Sequence, residues 1–156
     1  MKTLDLVSDF ELQDETGTPR TLYTLLAAGP VVLFFYPLAS SPGCTREACH
    51  FRDIAGEFAE LGAQPIGISP DSVSKQQTFA EANSLGYPLL SDEGGAVAKA
   101  WGVWRRLSPM HTKRQTFVIG EDHRIIAVVT GEIRFDRHAD EALRILRERR
   151  AADQTA

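Results

Sequence analysis

The feature that most restricts how this chain can fold is a change of hydrophobic period between residues 31 and 61. Val31 to Tyr36 is an unbroken run of β-branched, aliphatic and aromatic residues. A run that short and that apolar fits a strand buried on both faces. Beyond it, apolar residues recur at Ala48, Phe51, Ile54, Ala55, Phe58 and Ala59, the spacing of one helix face, and the pattern continues to Leu61. Pro37-Leu38-Ala39-Ser40-Ser41-Pro42-Gly43-Cys44 joins the two. A buried strand that leads into an amphipathic helix points to an α/β fold with a mixed sheet.

The start of the helix is well specified. Ser41 is a favourable N-cap, Pro42 suits the first helical position, and Glu47 places negative charge near the first turn. Cys44 then falls about three residues in, among unpaired backbone N–H groups and at the positive end of the macrodipole. A free thiol has a pKa of about 8.5, which helix N-termini and nearby cations lower, each unit adding about 1.4 kcal/mol in favour of thiolate. The plainer alternative is a buried cysteine that only packs. Cys49 bears on the choice. It lies about 140° around the helix and about 7.5 Å along it from Cys44, with the Cα atoms about 8.6 Å apart. A disulfide tolerates roughly 7 Å. The two cysteines therefore cannot bridge while the helix is intact, and pairing would require its first turns to unwind. That suits a transient disulfide better than a permanent one.

The rest of the chain supplies further strands and helices. Short strand pieces around Phe10-Glu11-Leu12 precede a turn at Asp14-Glu15-Thr16-Gly17, and Thr21 to Ala27 is a short helix ended by Gly29-Pro30. Gln64 to Ser69 reads as a second parallel strand. Ser74-x-x-Gln77 is a capping box that opens a helix to about Asn83. Tyr87 to Leu90 is extended and Gly95 to Trp101 helical. Thr116 to Ile119 and Ile125 to Val129 form a hairpin about Gly120-Glu121-Asp122-His123. Asp140 to Arg150 is the last helix, with Ala142, Leu143 and Leu146 on its apolar face.

With 156 residues, 43% of them apolar, the chain is expected to be one domain over 1–156, its core spanning about 3–150. The net charge of −4 is spread over mixed acidic and basic residues, so neither a nucleic-acid nor a membrane surface is indicated. Met1-Lys2-Thr3-Leu4-Asp5 does not open a signal peptide, and no apolar run approaches the roughly 18 residues of a membrane span. A cytoplasmic location is the default. Two cysteines in a reducing compartment are more often catalytic or metal-binding than structural.

Pro37-x-x-x-Ser41-x-x-Cys44 resembles the active-site signature of the peroxiredoxins, Pro-x-x-x-Thr/Ser-x-x-Cys. The longer stretch Tyr36-Pro37…Pro42-Gly43-Cys44-Thr45-x-Glu47-Ala48-Cys49-x-Phe51-Arg52-Asp53 is similar to the PrxQ, or bacterioferritin-comigratory, branch. Arg114-Gln115-Thr116-Phe117-Val118-Ile119 matches that family's arginine before a late strand. The likeness runs from Asp9-Phe10-Glu11-Leu12 through Tyr87-Pro88-Leu89-Leu90-Ser91-Asp92 to Ile119. The resemblance implies a thioredoxin-like fold and a peroxidase that reduces hydrogen peroxide and organic hydroperoxides. By the same resemblance Cys44 is the peroxidatic nucleophile and Cys49 the resolving cysteine. Arg114 brings a guanidinium beside thiolate and peroxide, Ser41 donates to the peroxide, and Pro37 shapes the pocket. Pro42, Gly43 and Glu47 complete the helix N-terminus, with Glu47 either orienting an arginine or only favouring the helix start. Gly43 and the small residues from Ala39 to Ser41 would ease unwinding. A thioredoxin-type dithiol protein is the implied reductant, no cofactor or metal is implied, and a monomer is expected because both cysteines lie in one helix.

Three other readings compete. Cys44, Cys49 and His50 lack zinc-ligand spacing and diverge around the helix. A thiol–disulfide oxidoreductase would show Cys-x-x-Cys, which is absent. A non-catalytic redox sensor could use the same reversible disulfide, and turnover with a reductant separates it from an enzyme. His111, His123 and His138 are scattered and read as surface residues. Lys113, Arg105 and Arg106 also read as surface. Arg144, Arg147, Arg149 and Arg150 alternate with Glu141 and Glu148 as a solvated face, and Trp101, Trp104, Phe34, Phe35 and Tyr36 read as core or pocket wall.

Overall fold

In the computed structural model, which describes residues 1–155, the apolar run forms strand β3 (Val31–Phe35), every residue of it buried. It lies inside a seven-stranded mixed sheet of order β2-β1-β5-β4-β3-β6-β7. The other strands are β1 (Glu11–Gln13), β2 (Pro19–Thr21), β4 (Gln64–Ser69), β5 (Leu89–Ser91), β6 (Gln115–Ile119) and β7 (Ile125–Thr130). β3 and β4 pair in parallel, as do β4 and β5, whereas β6 runs antiparallel to both β3 and β7. The expected α/β class and the two central parallel strands are both found.

Alternation along β3 divides the core. Val32, Phe34 and Tyr36 face one apolar cluster, with Phe51, Phe58, Phe79, Ala139, Ala142, Leu143 and Leu146. Val31, Leu33 and Phe35 face the other, with Leu22, Leu26, Trp101 and Phe117. The first cluster is covered by helices α2 (Pro42–Asp53), α3 (Ala55–Glu60), α4 (Val73–Asn83) and α6 (Phe135–Thr155). Helices α1 (Leu22–Ala27) and α5 (Ala96–Ala100) cover the second. Burial on both faces is what a continuous Val/Leu/Phe strand requires.

Three helix boundaries differ from the sequence reading. The helix expected to continue to Leu61 breaks at Ile54 (φ −109°, ψ 14°) and resumes as α3. The apolar spacing gives no sign of the break, because Phe51 and Phe58 on either side bury into the same cluster. Helix α4 starts earlier than the Ser74 capping box. Its cap is Ser72, whose hydroxyl accepts the Lys75 amide. Helix α6 begins at Phe135, more than a turn before Asp140, and continues past Arg150.

Helices α2 and α3 run parallel to α6 in a register offset by 90 residues. Arg46 meets Asp136 (3.3 Å), His50 meets Asp140 (2.6 Å) and Arg147 meets Glu57 (3.0 Å). Arg150 donates to the carbonyl of Glu60. The arginine-rich face of α6 is thus solvated, as expected, but it also crosses to α3. Among the described residues no helix is long and apolar enough to cross a membrane.

Candidate functional site

Sheet register brings Arg114 to the start of α2. Gln115 pairs with Phe35, so Arg114 stands beside the end of β3, where the chain turns into the loop leading to Cys44. At the end of that loop Ser41 caps α2, its hydroxyl oxygen accepting the Cys44 amide (3.3 Å), with Pro42 in the first turn. Ser40 adopts a left-handed φ of 69°, a conformation costly for a non-glycine residue. The loop is tied from behind. Asp71, buried, accepts the Ala39 amide (2.7 Å) and the Ser69 hydroxyl (2.7 Å). Ala39 is therefore held, in contrast to the freedom expected of the small residues there.

The Cys44 thiol is buried, and Arg114 donates to its sulfur through Nη2 at 3.2 Å. Nη1 of the same guanidinium donates to Glu47 Oε1 at 3.0 Å. One rigid fork thus spans two positions of α2, a geometry that a lysine would not reproduce. The backbone of Arg114 is held as well, its amide donating to Glu132 (3.1 Å), which also pairs with Arg105. The Phe135 ring lies over the guanidinium, 4.8 Å from ring centroid to its central carbon. A Cβ on Gly43 would come within 2.7 Å of two Phe135 ring carbons, so glycine is what allows this close approach. Pro37 is buried at the base of the loop.

Burial pushes the Glu47 carboxyl up to about 8, against the pull of Arg114. Burial also opposes charge on Arg114, yet Glu47 and Cys44 hold the guanidinium above its ordinary value. A guanidinium does not deprotonate in proteins, so Glu47 is the member of the pair that gives way as the proton concentration changes. Glu47 is thus in direct contact with Arg114. Three buried side-chain polar atoms among the described residues lack a hydrogen-bond partner, and two of them are Glu47 Oε2 and Arg114 Nε. Buried polar groups are normally satisfied, so their pairing here marks the site.

Cys49 is half-buried on another side of α2, its sulfur 3.6 Å from Asn83 Oδ1 at the end of α4. Both cysteines are free thiols. Cys44, Cys49 and His50 face Arg114, Asn83 and Asp140 respectively, so they do not converge. His138 corrects the sequence reading. It is wholly buried, with Nδ1 2.8 Å from the Thr116 hydroxyl and Nε2 2.8 Å from the Gly131 carbonyl, and burial lowers its pKa. The Gly131 carbonyl can only accept, so Nε2 carries the proton and Nδ1 accepts from Thr116. Nε2 also lies 3.9 Å from Glu47 Oε2. Extending the period of Ala142 and Leu146 back one turn would have placed His138 on the apolar face. Nothing in the sequence marked Phe135, Glu132 or Asp71. Trp101, Phe34, Phe35 and Tyr36 are core, as read, and Trp104 is half-buried against His111.

Comparison with known proteins agrees with this geometry. The sequence profile described as the AhpC/TSA family matches residues 4–128. A protein of Mycobacterium tuberculosis strain H37Rv that carries a provisional peroxiredoxin name is 58% identical over 149 residues, covering 94% of this chain and 97% of that protein. The crystal structure of peroxidoxin BcpB from Mycobacterium tuberculosis superposes with a TM-score of 0.91 at 57% identity, over 95% of this chain and 97% of that one. The chloroplastic peroxiredoxin Q of Sedum lineare is 39% identical over 137 residues, covering 88% of this chain and 73% of the relative. The sheet and its helices therefore form a thioredoxin-like fold of the peroxiredoxin type. With a capped cysteine, a buried arginine on its sulfur and a family match over most of its length, the chain belongs to the AhpC/TSA family, the peroxiredoxins.

Proposed function

We propose that this chain is a thiol-dependent peroxidase in which Cys44 reduces hydrogen peroxide and organic hydroperoxides and Cys49 resolves the oxidised product. The observation that carries the reading is Arg114. It donates to the Cys44 sulfur from a buried position and keeps a further N–H without a partner. The Cys44 thiolate attacks one peroxide oxygen, and the O–O bond breaks. Sulfenic acid is left on sulfur, while the second oxygen leaves, protonated, as water or alcohol. Negative charge spreads from sulfur along the O–O bond as this occurs. A fixed guanidinium beside the sulfur stabilises that charge without reorganising. The oxygen of Ser41 accepts the Cys44 amide, which leaves its O–H free to donate to the peroxide. Gly43 and the Phe135 ring close one side of the site, and Pro37 is assigned the role of shaping the pocket by its place in the Pro-x-x-x-Ser-x-x-Cys motif.

In the second half of the cycle the Cys49 thiolate attacks the sulfenic sulfur, the S–S bond forms, and the hydroxyl leaves as water. Cys44 and Cys49 face different partners on an intact helix, so the first turns of α2 must unwind for this step. A thioredoxin-type dithiol protein then reduces the disulfide by two exchanges. The cycle draws on no metal or organic cofactor. A monomer suffices because one helix carries both sulfurs, and a reducing compartment such as the cytoplasm fits the two free thiols.

The test is peroxide consumption with a thioredoxin-type reducing system, comparing wild type, Cys44→Ser and Cys49→Ser. Cys44→Ser is expected to be inactive. Cys49→Ser is expected to complete one rapid turnover and stall as sulfenic acid. Wild-type rates in both variants would overturn the peroxidase reading and leave the cysteines structural. A single stoichiometric oxidation of wild type that the reductant never recycles would instead make the chain a sensor.

A further inference from the structure

The parallel register of α2 with α6 has a consequence for the resolving step. Of the cross-helix contacts offset by 90 residues, two attach to the stretch that carries the cysteines. Arg46–Asp136 lies between Cys44 and Cys49, and His50–Asp140 immediately follows Cys49. At the N-terminal end Phe135 closes over Gly43 with no room for a side chain. The remaining contacts, Arg147–Glu57 and Arg150–Glu60, attach to α3, beyond the break at Ile54. The break thus separates contacts on the segment that must unwind from contacts on one that need not.

We infer that Asp136 and Asp140 of α6 clasp the Arg46–His50 stretch of α2 and set the rate at which Cys49 reaches the oxidised Cys44; this rests on the peroxidase reading above. The clasp holds only while α2 is helical, so it stabilises the thiol and sulfenic states and is lost when the disulfide forms. A sulfenic acid held in the folded helix has two fates. Attack by Cys49 gives disulfide and water, and attack on a second peroxide gives sulfinic acid and water or alcohol. By slowing the first, the clasp raises the share that follows the second at a given peroxide concentration. Asp136 and Asp140 are therefore positioning residues for resolution and have no contact with Cys44 or Arg114. Both pairs are partly exposed, the regime in which an ion pair is weak. The expected effect is about two- to fivefold per contact.

The experiment compares wild type with Asp136→Asn, Asp140→Asn and the double variant, and uses Glu57→Gln as a control on the α3 contact. Three quantities are read: the rate of sulfenic acid formation, the rate of disulfide formation after one peroxide equivalent, and the sulfinic fraction by mass at excess peroxide. The double variant should form disulfide about four- to twenty-five-fold faster with a smaller sulfinic fraction, while sulfenic acid formation stays within twofold of wild type. Glu57→Gln should match wild type in all three. The disulfide potential reports the same clasp at equilibrium. A fivefold shift toward disulfide makes it about 20 mV more negative, at 29.6 mV per tenfold. Disulfide formation at the wild-type rate in the double variant, or equal acceleration by Glu57→Gln, overturns the clasp and leaves the peroxidase reading intact. A wild-type chain that never oxidises at Cys44 overturns both.

Discussion

Replacing Arg114 by lysine separates charge from geometry at Cys44. The arginine fork reaches the sulfur at 3.2 Å and Glu47 at 3.0 Å from its two terminal nitrogens. Lysine keeps the positive charge but has one nitrogen, so it cannot hold both partners, and the Nε–H donor disappears as well. Loss of one preorganised donor to a charge-developing atom typically costs about 10²–10³ in rate, equivalent to about 2.7–4 kcal/mol. The second-order rate with hydrogen peroxide is expected to fall by that factor, measured by competition against a reporter peroxidase. Alkylation of Cys44 by iodoacetamide involves no O–O bond and depends mainly on the thiolate population. It should fall by less than about tenfold, because a cation remains nearby. Two results would refute the reasoning: a peroxide rate within threefold of wild type, or equal losses in both reactions. The second would reduce Arg114 to a source of field at the sulfur.

Two further outcomes concern stability, alongside those already attached to the cysteines and to the α2–α6 contacts. Gly43→Ala should destabilise the fold by about 1–3 kcal/mol in denaturant unfolding, because its methyl would meet the Phe135 ring at 2.7 Å. Adding Phe135→Leu should recover most of the loss, and a Gly43→Ala midpoint equal to wild type would contradict the packing. For Glu47, burial raises the folded-state carboxyl from 4.5 to about 8. Between those values the native chain keeps a proton that the unfolded chain has released, so this contribution to stability falls as pH rises through that window. Glutamine cannot ionise, so the stability of Glu47→Gln relative to wild type should improve from pH 5 to pH 9 in thermal melts. A difference constant over that range would show that Glu47 does not titrate there.

The sequence carried the central features because they are local. The β3 run, the Ser41 cap and the periodic face of α2 each depend on residues within a few positions of one another, and the structure repeats them. Arg114 was legible only through its motif, since sheet pairing brings it 70 residues back to Cys44. The break at Ile54 was hidden because hydrophobic period reports which face is buried and says nothing of whether the backbone is continuous. His138 was misread because a lone histidine carries no period of its own and the helix start was set too late to include it. Ser72 and Ser74 are equally good caps by side-chain identity, and the Gln77 of the Ser74 box favours the later start; the hydrogen bond from the Lys75 amide to Ser72 fixes the earlier one.

The attachment of Ala39 to Asp71 has a mechanical consequence. It fixes the chain just before Ser40 and Ser41, and Phe51, stacked on Phe34 with ring centroids 4.2 Å apart, fixes it again within α2. Everything that has to rearrange during the proposed cycle lies between these two moorings. Closing a flexible segment costs free energy that grows only with the logarithm of its length, and a short segment with anchored ends recovers its starting shape with little search. In the proposed cycle residues 40–50 would melt and re-form between these points, breaking their contacts with Arg114 and Tyr87, while β3 and β6 keep their register. On that reading the sheet would serve as a fixed frame, and the conformational work of the cycle would fall on one tethered span.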